Sequence, residues 1–164
     1  MTAEPLAIED ESAGMSERTS AIWQAALLSA LGVYVVSLFL NWWNVTVIGK
    51  PPFAANINGL ANKLGELCLV LAVVAFVASL QAMRSSQEWL HVTRRYLPIA
   101  LFAFNAVAIA ITWRDCYYPF ELPVYYKDSH LAGGAYLSIV ASIVVLLAAL
   151  VLDAGGLRAL ARRT

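Results

Sequence analysis

SHLAGGAYLSIVASIVVLLAALVL, from Ser129 to Leu152, contains no Asp, Glu, Lys or Arg. A helix needs about 20 mostly apolar residues to cross the hydrocarbon core of a bilayer, so this run reads as a membrane span. Three further charge-free runs precede it: Thr19 to Gly49, Leu67 to Met83 and Tyr96 to Trp113. Spans are therefore placed near 21–43, 62–83, 96–113 and 134–153. The composition agrees, since 60% of the 164 residues are hydrophobic and 13% are charged, against roughly 25% charged in soluble domains. Mean hydropathy is +0.68. Lipid permits only helices or closed barrels, and runs of this length are helical. The expected fold is all-α: an integral membrane four-helix bundle, left-handed, with up-down topology.

The rims of the spans carry amphipathic rings. Trp23 and the pair Trp42–Trp43 bracket the first span, and Tyr96 and Trp113 bracket the third, as expected of headgroup-level anchors. Cations sort by side: Arg18, Arg84, Arg94, Arg95, Arg158, Arg162 and Arg163 fall on one, Lys50, Lys63, Arg114 and Lys127 on the other. By the positive-inside rule both termini and the 84–95 loop are cytoplasmic, and the 44–61 and 114–133 loops are exterior. The localisation expected is the cell membrane, multi-pass. The first span is too long, and its flank too acidic, for a cleaved signal peptide. Residues 1–20 form an acidic tail with little to bury, expected to be disordered. Residues 21–155 hold the bundle, and 156–164 a short basic tail suited to an anionic lipid surface.

Few residues inside the spans invite chemistry. Asn105 stands in the middle of span three, where an unpaired amide would cost several kcal/mol, so it must meet protein or water. Interhelical hydrogen bonding is the reading adopted, with a substrate contact as the alternative. Lys63 and Glu66, three apart at the start of span two, share a helical face; a salt bridge at the rim is set against the mouth of an ion or proton relay. Gly134, Ser138 and Ser142 recur every four residues and form a small-residue packing seam. Pro98 reads as a helix-start residue.

Nucleophile–base motifs, P-loops and dinucleotide fingerprints are lacking, so no catalytic residue is assigned and no enzyme is expected. His91 and His130 lack further ligands at metal spacing, so neither a metal nor another cofactor is expected. Cys68 and Cys116 read as structural thiols. The tripeptide Asn44-Val45-Thr46 matches a glycosylation sequon, a match too short to weigh. The absence of clustered cations excludes nucleic acid as a partner.

Loop one begins with β-branched residues and turns at Gly49 and Pro51–Pro52, which predicts a short extended segment and a turn. The second exterior loop, WRDCYYPFELPVYYKDSH, is stiffened by Pro119 and Pro123 and carries Tyr117, Tyr118, Phe120, Tyr125 and Tyr126. These rings suit an interfacial cap over the bundle, the preferred reading, or a contact surface for a partner. The four spans, the Trp42–Trp43 pair after Leu-Phe-Leu, and the last span opening Gly-Gly-Ala-Tyr-Leu resemble uncharacterised small four-span membrane proteins of high-GC Gram-positive bacteria. That resemblance covers residues 20–155 and implies the layout, with no activity to carry over. The layout is also similar to claudins, but their W-G-L-W-C-C signature needs two cysteines absent here. The function expected is an accessory or scaffolding subunit, non-enzymatic, using the exterior aromatic loop for envelope or partner contact. A small oligomeric transporter or channel is the alternative. Expected partners are the lipid bilayer and a membrane protein or a second copy of the chain.

Overall fold

A computed structural model describes residues 7–47, 53–61, 63–84, 88–117 and 126–161. The elements are α1 (Ala7–Phe39), β1 (Asn41–Val47), β2 (Phe53–Asn58), a 3-10 turn (Gly59–Ala61), α2 (Lys63–Ala82), α3 (Glu88–Tyr117), β3 (Tyr126–Leu131) and α4 (Gly133–Ala161). Each helix holds a segment long and apolar enough to cross a membrane: Arg18–Phe39, Lys63–Ala82, Val92–Arg114 and Gly133–Asp153. At about 1.5 Å per residue, the 20 residues of α2 extend roughly 30 Å, the thickness of the hydrocarbon core. The protein is a multi-pass helical membrane protein.

The helices form a ring. α1 packs on α2 and α4, and α3 packs on the same two, so chain neighbours are also neighbours in space. The packing is large against small. α1 brings Leu27, Leu31, Tyr34 and Leu38, while α2 answers with Gly65, Cys68, Ala72, Ala75 and Ser79, and α4 with Ala135, Ala141, Ala148 and Ala149. Small side chains let backbones approach closely where lipid provides no hydrophobic drive. Outward residues, such as Val70, Val74, Val107, Ile143 and Leu147, are apolar as lipid requires.

Three differences from the sequence expectations concern the helices. α1 begins at Ala7, inside the 1–20 segment expected to be disordered. α1 also stops at Phe39 rather than near 43, where a turn closes from the Leu40 N–H to the Ser37 carbonyl (3.3 Å). Pro98 is in the interior of α3, because that helix starts at Glu88. Proline there has no N–H to offer the carbonyl of Arg94. The 156–164 tail is helical as far as Ala161, continuous with α4.

The sheet was not foreseen. β1 is central, antiparallel to β2 on one side and to β3 on the other, in the order β2-β1-β3. It unites the two loops expected outside and caps one end of the bundle. Asn41 pairs with Asn58 and Trp43 with Ile57, so Trp42 is the extra residue of a bulge. Trp43 stands in register with Ile57 and Leu131, one apolar row, and Leu131 touches the helix core. Asn44 stands in register with Asn56 and His130, and direct partners share a face. One face of the sheet is thus apolar toward the bundle and the other is polar.

Candidate functional site

Two constructions position side chains precisely enough to matter: a polar hub inside the bundle and a tryptophan plug beneath the sheet. The hub centres on Asn105, 2% exposed on α3. Tyr34 on α1 reaches across the ring and its hydroxyl donates to Asn105 Oδ1 (3.0 Å). The Asn105 amide donates to Ser142 Oγ (3.1 Å) and to the Ser138 carbonyl (3.3 Å) on α4. Buried Cys68 on α2 belongs to the same core cluster as Tyr34. Ser138 and Ser142 in turn donate to the Ala135 and Ile139 carbonyls of their own helix (2.8 and 2.9 Å).

This hub is closed on itself. The amide has one acceptor oxygen and two N–H donors, and each has a partner within the bundle. Buried polar groups in lipid demand such satisfaction, and the result fixes helix rotation and register rather than opening a path. Tyr34 was missed by the sequence reading. Its signal was a tyrosine at mid-span instead of at the rim, since a phenolic hydroxyl that deep must find a partner.

The plug is Trp42. The sequence assigned it to the headgroup belt, yet it is 1% exposed and belongs to the hydrophobic core. The bulge turns it inward, and its indole N–H donates to the Ser37 carbonyl (2.8 Å), the acceptor that also takes the Leu40 N–H where α1 ends. Two glycines make room for the ring. A Cβ at Gly59 would stand 2.6 Å from Trp42 Cε2, and one at Gly134 would stand 2.9 Å from Cδ1 and 2.7 Å from the Asn41 carbonyl oxygen. The backbone closes the arrangement, with the Ala132 N–H donating to the Trp42 carbonyl (2.8 Å). Gly134 therefore receives the chain between α1 and β1, while Ser138 and Ser142, in the same stripe, serve the hub.

The remaining candidates lie apart. Lys63 and Glu66 are both exposed in the first turn of α2, and among the described residues no ion pair joins them, so the expected salt bridge is not made. At the rim, water solvates each charge at less entropic cost than holding two long side chains together. An ion pair, Arg95–Asp153, stands at the opposite end of the bundle. Tyr117 closes α3 and Tyr126 opens β3. Tyr118, Phe120 and Tyr125 lie outside the described residues. Cys68 is a buried free thiol. Asn44 of the sequon is in the central strand with its Oδ1 buried and unpartnered, not presented on a loop. No cluster of three or more metal-ligating His, Cys, Asp or Glu occurs among the described residues. Compared with known proteins, the chain matches no family model, no curated protein and no solved structure.

Proposed function

We propose that this protein is a non-enzymatic accessory or scaffolding subunit of the cell membrane, meeting a partner or the envelope through the end that carries the sheet and the aromatic loop. One observation carries the reading: the polar groups of the hub bond one another inside the bundle, while exposed Asn56 and His130 stand on either side of Asn44 across the sheet. A three-stranded sheet seated on the bundle is a firm platform. The sequence of the second exterior loop carries tyrosines on both sides of Pro119 and Pro123, rings with few rotamers to lose on binding. Placing this end outside, with both termini cytoplasmic, follows from the distribution of cations.

A small oligomeric transporter or channel would draw on Asn105 and the Lys63–Glu66 pair along a path between protomers. The inward engagement of Asn105 with Tyr34 and Ser142 of its own chain supports the scaffold instead. Cross-linking in membranes followed by co-purification in mild detergent tests the choice. A stoichiometric partner is expected. A protein that purifies alone, with liposome flux abolished by Asn105→Leu, would overturn the scaffold in favour of the channel. For Tyr117→Ser/Tyr118→Ser a fall in the Tm of the isolated protein is expected, as for rings that cap the bundle; an unchanged Tm with the partner lost would make them the contact surface instead.

A further inference from the structure

At the end of the bundle away from the sheet, α3 begins its span and α4 finishes its own. Arg95 Nε stands 3.4 Å from Asp153 Oδ2, with the two side chains 47% and 30% exposed. Half-buried Arg94 precedes Arg95 on α3, so two cationic side chains and one carboxylate lie at this end of the bundle. Between them the two arginines carry roughly ten N–H donors and two positive charges, against one negative charge and about four acceptor positions. At the boundary of a low-dielectric layer, surplus cationic charge draws a counter-anion more strongly than it would in water.

The surroundings specify the anion. Trp89, Val92, Tyr96 and Ile99 are all large, exposed and spaced three or four apart, so they form one outward stripe on α3. Arg95 is set into that stripe, its guanidinium 5.6 Å from the centroid of the Tyr96 ring. Cationic charge therefore lies directly above an apolar track that faces lipid.

We propose that Arg94, Arg95 and the α3 stripe form a binding site for an anionic phospholipid, in the leaflet opposite the sheet, with the headgroup phosphate on the two arginines and an acyl chain along Val92, Tyr96 and Ile99. The site is independent of the scaffold reading, because it needs neither a partner nor the exterior loop.

Full-length protein, delipidated in detergent and then offered phosphatidylglycerol or phosphatidylcholine, tests it by native mass spectrometry. Wild type is expected to retain phosphatidylglycerol at least fivefold over phosphatidylcholine. Arg94→Gln/Arg95→Gln should abolish that preference. Asp153→Asn, which keeps both cations and removes the competing anion, should retain or raise it, and provides the answer if the double variant does not fold. Inorganic phosphate at the same concentration should not displace the lipid, since it cannot use the stripe. Equal retention of the two lipids by wild type, an unchanged preference in the glutamine variant, loss of preference in Asp153→Asn, or displacement by phosphate would each overturn the proposal.

Discussion

Asn105 shows how a single amide can organise a bundle immersed in lipid. Leucine at this position would suit the hydrocarbon better in isolation, but it would strip Tyr34 of its acceptor and Ser142 of a donor. Hydrogen bonds between membrane helices contribute about 0.6 kcal/mol on average and up to about 1.7. Asn105→Leu is therefore expected to destabilise the protein by about 1–3 kcal/mol, and Tyr34→Phe by about 1 kcal/mol, in reversible unfolding from mixed micelles. The two effects should be non-additive, because both remove the Tyr34–Asn105 bond. Additive losses would show that the hub does not act as a unit.

At the level of elements, the decisive contact is that between the start of α4 and the chain leaving α1. Gly134 is placed where a Cβ would meet the Asn41 carbonyl oxygen at 2.7 Å and Leu40 Cβ at 2.9 Å. Neither neighbour is the far end of a flexible chain, so the strand must move. Gly134→Ala is expected to cost about 1–3 kcal/mol and to raise amide exchange in β1 and its partners. Gly32→Ala is the control: a Cβ there meets nothing within 4 Å, and alanine should stabilise α1 by up to about 1 kcal/mol. If the two variants melt alike, the close packing around Trp42 is not what seats the sheet.

For the molecule as a whole, an even number of spans puts both termini on one side and the whole sheet on the other. Asn56 on β2 and Arg84 after α2 are both exposed and lie at opposite ends. In a Cys116→Ser background, with Cys68 protected by burial, an impermeant thiol reagent should label Asn56→Cys in intact cells. Arg84→Cys should react only after permeabilisation. The reverse pattern would invert the orientation, and labelling of both from outside would contradict the up-down topology.

The span count and their approximate limits were legible because the requirement is local: about 20 apolar residues between charges suffice, whatever they touch. The need of Asn105 for a partner was equally legible, since it follows from its depth alone. Which partner it takes was not, because Tyr34 lies 71 residues away in sequence and meets it only once the helices have packed. The sheet was hidden for the same reason. β1 contains β-branched and aromatic residues that suit a strand, but β3 reaches it from beyond two further spans, a pairing with no local signature. Trp42 and Trp43 show the division most clearly: composition makes both interfacial rings, and one extra residue in a strand pairing sends the first into the core while its neighbour stays half-exposed. Lipid acts on each residue by composition and depth, so the sequence alone determined what must cross the membrane. Register and bulge are properties of paired strands, so only the tertiary structure decided what gathers at the bundle's two ends.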